Sequence, residues 1–153
     1  QIDALAKALD SAETARVTSL HGTDITMSLK GRRGRSLNGF ANAVDISAGY
    51  CLEASIAPVE GTAEGVIVVD ASIPGLGLIE DEPVVIRYEK GLARSIEGGS
   101  DESVWGGFQL ALGTSAPGGQ CKAAAHYDTV LTGATLELDG RVVFEDRTLL
   151  LPA

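Results

Sequence analysis

The segment "AAAHYDTV", residues 123–130, sets a histidine two residues ahead of an aspartate in a run with strand character. On a strand, residues i and i+2 point to the same side. His126 and Asp128 are therefore able to meet at one point, and an imidazole beside a carboxylate is a pair that divalent metal ions bind. The plainer reading is a solvated face of a sheet, which a lone His-x-Asp describes equally well. Two features favour a site. The pair follows a glycine-rich turn, "APGGQ", which lets backbone approach closely, and His126 is one of only two histidines in the chain. A third candidate ligand is Glu53, a carboxylate inside the otherwise apolar "YCLEASIAPV", where a charge needs a reason to be. One imidazole with two carboxylates suits a divalent ion of the Zn, Mn, Co or Fe(II) kind.

Other chemistry-bearing residues read more simply. His21 in "LHGTD" fits a turn, with Asp24 as its local cap. Arg32, Arg33 and Arg35 in "GRRGR" read as a solvated loop, the other reading being a clamp for an anionic substrate. Cys51 and Cys121 read as small buried hydrophobes rather than as nucleophiles beside His126. The pairs Gly98-Gly99, Gly106-Gly107 and Gly118-Gly119 match no phosphate-loop pattern, and Trp105 and Tyr127 read as core or rim packing.

The elements that must position these residues are mostly strands. Ile2, Leu5, Leu9 and Ala12 recur at helical spacing and predict an N-terminal helix ending near Glu13. Beyond it, glycine is frequent and short β-branched runs alternate with turns. "ARVTSL", "DITMSLKG", "EGVIVVDASI", "EPVVIRYEKG", "LARSIEGG", "VWGGFQLALG", "ATLELDG" and "RVVFEDRTLLL" are predicted strands. "YEKGLA" and "LDGRVV" carry the glycine signals of tight hairpins, and Gly31–Gly49 reads as a basic, irregular loop. The expected architecture is α+β: a single domain over 1–153, with a helix in 1–14, a mainly antiparallel β-rich part in 15–153, and few short helices.

At 153 residues the chain buries a core without disulfides or a structural metal. The net charge of -9 opposes non-specific binding to nucleic acid, which rests on Lys and Arg neutralising phosphates. No apolar run approaches the roughly 20 residues of a membrane span, and no basic stretch precedes an apolar core as in a signal peptide. The expectation is a cytoplasmic protein with no nucleic-acid or membrane partner.

The ordered segments "GTDITMSLKGR", "EASIAPVEGTAEGVIVVDAS", "GGFQLALGTS" and "HYD" resemble the C-terminal, metal-binding half of the aminopeptidase T type of metallopeptidases and of the related 2,5-dihydroxypyridine dioxygenases. The resemblance runs from about Val17 to the end. It implies that Glu53, His126 and Asp128 bind metal: two ions in the peptidases, a single Fe(II) that opens a pyridine ring in the dioxygenases. Such proteins have a histidine in the strand where this chain reads "FQLALG", with Gln109. They also carry, between "SIEGG" and "DESVWGG", a further stretch of roughly 40 residues, longer than the loops usual in compact domains, which supplies another ligand.

With this resemblance the sequence points to a small metal-dependent hydrolase, aminopeptidase-like. It would act on an amide, a peptide or a cyclic small molecule through a metal-bound water, with Glu60 or Asp24 as base. The alternative is a mononuclear Fe(II) ring-cleaving dioxygenase. The competing class is a non-catalytic scaffold that keeps the fold, for which Gln109 and the shortened segment speak. A homo-oligomer is expected, since self-association is the commonest way to cover an apolar face. Cys51 and Cys121 are expected to be reduced and unbridged. Intact mass after alkylation without reductant should show a label on each cysteine; a protein that takes label only after reduction would contradict this.

Overall fold

The computed structural model describes residues 1–39, 53–73, 77–79, 82–98, 108–113 and 126–151, of which 108–113 and 126–128 are described as backbone. Cys51, Trp105 and Cys121 lie outside them. The helix α1 spans Ile2–Ser11. It buries Ala6 and Leu9, with Leu5 and Ala8 packed beside them, as the i, i+3, i+4 spacing requires. Ala12 turns extended, at φ -84° and ψ 145°, and the chain enters β1 (Thr14–Ser19).

Strands follow in order: β2 (Asp24–Ser28), β3 (Arg35–Leu37), β4 (Glu53–Ser55), β5 (Glu64–Val69), β6 (Ser72–Ile73) and β7 (Gly77–Leu78). Then come β8 (Val84–Glu89), β9 (Leu92–Glu97), β10 (Phe108–Gly113), β11 (His126–Leu131), β12 (Ala134–Leu138), β13 (Arg141–Glu145) and β14 (Thr148–Leu149). Eight form one sheet in the order β14-β13-β12-β1-β2-β5-β8-β9. A second sheet runs β10-β11-β6-β7, and β3 with β4 forms a two-stranded ribbon. Every pairing is antiparallel. The expected α+β architecture with an N-terminal helix is what the chain adopts; among the described residues α1 is its only α-helix.

The large sheet follows from alternation. In β1, Ala15 and Val17 turn inward while Arg16 and Thr18 turn out, and β12 buries Ala134, Leu136 and Leu138 by the same period of two. The register sets Val17 between Leu136 and Ile25, so one apolar row crosses three strands. Ile67 opposite Ile86 and Val69 opposite Val84 continue it across β5 and β8. Each such side chain, fully buried, contributes roughly 1.5–3 kcal/mol.

Turn chemistry sets the hairpins. Lys90-Gly91 and Asp139-Gly140 have positive φ at both positions, the two-residue geometry that matches strand twist. Asp146-Arg147 does the same, which breaks "RVVFEDRTLLL" into the hairpin β13–β14 instead of one strand. "EGVIVVDASI" likewise divides at Asp70-Ala71, where the chain passes from the large sheet to the small one. The basic segment is not all loop: Arg35–Leu37 pairs with Glu53–Ser55.

The β12–β13 hairpin tip latches onto the junction of α1 with β1. The Glu13 N–H donates to both Asp139 carboxylate oxygens at 3.1 Å, and the Thr14 N–H and Oγ1 donate to Oδ1 at 2.7 and 2.8 Å. These donors, the Glu13 N–H first, hold the Asp139 carboxyl below the usual carboxylate range. A lowered folded-state value contributes stability that is fully present above the unfolded value, near 4, and is lost as pH falls through the folded one. Asp139→Ala should lower the melting temperature at pH 7. It should also flatten the decline in stability below pH 4, as read from melts across pH 2–7; an unchanged profile would remove the latch from the acid response.

Candidate metal centre

The two halves of the proposed ligand set reside in different sheets. His126 and Asp128 open β11, so the strand character that gave the pair its meaning is present. Thr129 and Leu131 are fully buried, and the alternation sets positions 126, 128 and 130 on the opposite side of the strand. Across the ladder Gly113 stands opposite His126, Ala111 opposite Asp128 and Gln109 opposite Val130. Residues directly opposite share a face. The register thus sets the His-x-Asp pair across from two of the smallest residues.

Glu53 begins β4, and the fold tethers its ribbon from both ends. Before β3, the Arg32 N–H donates to the Leu29 carbonyl at 2.9 Å. After β4, the Val59 N–H donates to the Ser28 carbonyl at 2.8 Å, and the Thr62 hydroxyl donates to the Val59 carbonyl at 2.6 Å. Arg32 and Glu60 form an ion pair that joins the two ends. Helix α1 covers one face: Ser36 Oγ donates to Asp3 Oδ1 at 2.6 Å, Asn38 Nδ2 donates to the same oxygen at 3.1 Å, and the Gly34 N–H donates to Asp10 Oδ1 at 3.2 Å. Those two side chains, Ser36 first, hold the Asp3 carboxyl below its ordinary value. Gly34 is required by space, since a Cβ there would stand 2.2 Å from the Ala6 carbonyl oxygen.

The candidate carboxylates differ in what they are bonded to. Asp24 does not cap the His21 turn. Arg16 Nε and Nη2 donate to its two oxygens at 2.8 Å each, which holds its carboxyl below the ordinary range. The turn is closed instead by the Gly22 N–H on the Ser19 carbonyl at 3.2 Å and the Ser19 N–H on the Thr23 carbonyl at 3.1 Å. Glu60 is engaged by Arg32. Asp70, a nearly buried carboxylate at the end of β5, accepts the N–H and hydroxyl of Thr132 and lies 3.5 Å from His21 Nε2. That Asp70 cluster went unread in the sequence, where an aspartate closing "GVIVVD" is the available signal. Glu53 is exposed, and no hydrogen bond or ion pair joins its side chain to another described residue. The cost of burying a charge, which singled it out in the sequence, does not apply to it; its freedom from protein donors does.

Among the described residues no three His, Cys, Asp or Glu side chains cluster as a metal site; the side chains of His126 and Asp128 fall outside that set. A groove of about 430 Å³ crosses the outer face of β1, β2 and β12 beside Arg16, Thr26, Glu137 and Asp139, and no candidate metal ligand lines it. Among the described residues no helix is long and apolar enough to cross a membrane.

Residues 1–105 match the profile of the family described as NicX: 2,5-dihydroxypyridine 5,6-dioxygenase. The structure of 2,5-dihydroxypyridine dioxygenase from Pseudomonas putida KT2440 superposes with a TM-score of 0.79 at 19% identity, covering 99% of this chain and 58% of that one. The chain thus spans about 58% of the length of the solved structure it matches. No curated protein sequence matches. These findings correct the hydrolase and aminopeptidase expectation: the family matched is that of a ring-cleaving dioxygenase. The physical reason is that the ligand-bearing segments are compatible with either chemistry, because a carboxylate–imidazole set accepts ions that activate water and ions that activate oxygen.

The ribbon that carries Glu53 depends on close approach to α1. Gly34→Ala should destabilise the fold by about 1–3 kcal/mol, the usual cost of overpacking. Urea unfolding measures it, and a midpoint equal to the parent's would show that the ribbon does not need this contact.

Proposed function

The chain belongs to the 2,5-dihydroxypyridine 5,6-dioxygenase family, and from that premise we propose that it forms the metal-bearing part of a ring-opening dioxygenase acting on a hydroxylated pyridine. Fe(II) is the ion of this reading, held by Glu53, His126 and Asp128. The donor set fits: imidazole nitrogen and carboxylate oxygen are ligands such an ion takes, and three of them leave positions open. The observation that carries the proposal is the contrast among carboxylates. Asp24, Glu60 and Asp70 are each bonded to protein donors, whereas the Glu53 carboxylate has no described partner.

Glu53, His126 and Asp128 would hold the ion, which when bound would supply the oxygen-activating chemistry of a ring-opening dioxygenase. The chain's own residues set the geometry. Positions 126 and 128 are alternate positions of β11. The register sets Gly113 opposite His126 and Ala111 opposite Asp128. The tethered ribbon holds Glu53 at the start of β4.

The test begins with anaerobic loading with Fe(II), followed by oxygen uptake and loss of the pyridine absorbance on addition of 2,5-dihydroxypyridine. The parent should consume oxygen and bleach the ring. Glu53→Gln, His126→Ala and Asp128→Asn should each lose more than about 100-fold in activity, beyond what removal of a ligand's supporting partner costs. An ion at 100 times its dissociation constant should stabilise the parent by about 2.7 kcal/mol and the variants by less. A parent that binds no iron, or iron-loaded parent that leaves the ring intact, refutes the reading.

A further inference from the structure

Three connections of the fold meet at one carboxylate. Asp70 follows β5, where the chain leaves the large sheet for β6. Thr132 follows β11 in the turn that leads to β12, and His21 lies in the turn between β1 and β2. Asp70 accepts the Thr132 N–H at 2.9 Å and the Thr132 hydroxyl, and His21 Nε2 stands 3.5 Å from Asp70 Oδ2. Because Ser72 of β6 pairs with Val130 of β11, the Asp70–Thr132 bonds close the end of that ladder in the small sheet. His21 brings the large sheet to the same point through its β1–β2 hairpin.

The two ionisable partners differ in their access to water. The Asp70 side chain is 8% exposed and that of His21 is 55% exposed. Taking a carboxylate out of water is costly unless hydrogen bonds or an opposite charge replace the lost solvation. Thr132 supplies the hydrogen bonds, and both of its donors are neutral. The opposite charge is left to His21, since among the described residues no lysine or arginine lies within ion-pair distance of Asp70.

The elements packed around the pair add no other charge. Apart from Asp70, residues 66–73 are uncharged, and so are residues 129–136. Leu20 lies against Gly133 of the β11–β12 turn, Gly22 approaches the Val68 side chain, and the Thr23 hydroxyl donates to the Val68 carbonyl. Arg16 and Asp24, the charged residues nearest His21 along the chain, are bonded to each other. The counter-charge of a nearly buried carboxylate is thus conditional. An imidazole carries charge only in its protonated form, and its charge changes between about pH 5 and 8.

We propose that His21 and Asp70 form a pH-dependent clasp between the two sheets. With the imidazole protonated, its charge pairs with Asp70 and pins the β1–β2 turn to the Asp70–Thr132 junction. With the imidazole neutral, the turn keeps its own backbone bonds and the ion pair is gone. The sign follows from linkage: folding brings the carboxylate to the imidazole, so the clasp stabilises the fold on the acid side of that range and is lost as pH rises through it. Stronger acid, in which carboxylates take up protons, removes it again. The clasp needs no metal and does not rest on the dioxygenase reading.

Melting temperatures of the parent, His21→Gln and His21→Lys at low salt, on either side of the imidazole range at about pH 5.5 and about pH 8, test it. The parent should melt about 1–4 °C above His21→Gln at the lower pH, the size of a partly exposed ion pair, and level with it at the higher one. His21→Lys, charged at both, should melt above His21→Gln at both. Added salt should shrink the gap at the lower pH, because screening acts on an exposed charge. Exchange of the Thr132 amide hydrogen, compared at equal pH, should be slower in the parent than in His21→Gln at the lower pH and the same at the higher. A gap between parent and His21→Gln that is equal at the two pH values, zero included, overturns the clasp. So does His21→Lys melting no higher than His21→Gln at the higher pH. Equal Thr132 exchange in parent and His21→Gln at the lower pH shows that the charge does not reach the sheet junction, and overturns it too.

Discussion

Everything in this chain hangs on β1 lying between β12 and β2. Val17 is 1% exposed, faced by Leu136 on one side and Ile25 on the other, and the apolar row it anchors runs on into β5 and β8. One of those contacts is local and the other joins residues more than a hundred positions apart. Because a slip of one residue would turn every inward side chain outward, the row specifies its own register. Once β12 is seated there, β11, which precedes it by a short turn, is brought to the edge of the core with His126 and Asp128 at its start.

The carboxylates show how a fold sorts chemically identical groups. Asp139 ties a hairpin tip to the helix junction, Asp3 ties α1 to β3, Asp24 holds a cross-strand arginine, and Asp70 closes a loop through Thr132. Each gains donors, and each is thereby committed to structure. A group kept for an ion has to be exempt from such bonds, and Glu53 is the candidate that is. Burial acts in the same sorting sense on Tyr88, whose phenol is pushed up to about 12, so it stays a neutral packing group. Charge in this molecule therefore reads as function only where hydrogen bonding has not already consumed it.

The ribbon β3–β4 shows the converse, an element whose importance is in its orientation. It has three residues per strand, too few to bury a core of its own. Its stability is borrowed from α1, through Gly34 and Asp3, and from the Arg32–Glu60 pair. One face is spent on that docking. The other is left with Arg35, Leu37, Glu53 and Ser55, which is how a short, basic segment acquires a chemical direction.

Much of this was legible in the residues. The period of apolar positions marked α1, the long strands and the two glycine hairpins, because local sterics and burial impose those periods whatever the tertiary context. The His-x-Asp spacing marked a shared side of β11 for the same reason. What the sequence left open depended on contacts between distant residues. The split of "RVVFEDRTLLL" turns on two non-glycine residues accepting positive φ at a hairpin, which propensity does not announce. The strand at Arg35–Leu37 exists because Glu53–Ser55 and α1 meet it, not because "GRRGRSLNG" has strand character. A sequence shows the nearest neighbours first and points Asp24 to its own turn, whereas its arginine, Arg16, stands diagonally from it on the paired strand β1. The sequence by itself determined which segments are strands and which residue types are available for chemistry, since these follow from local geometry. Only the tertiary structure decided that Asp24, Glu60 and Asp70 are bonded to protein donors while the Glu53 carboxylate has no described one, because hydrogen-bond partners belong to pairs of segments.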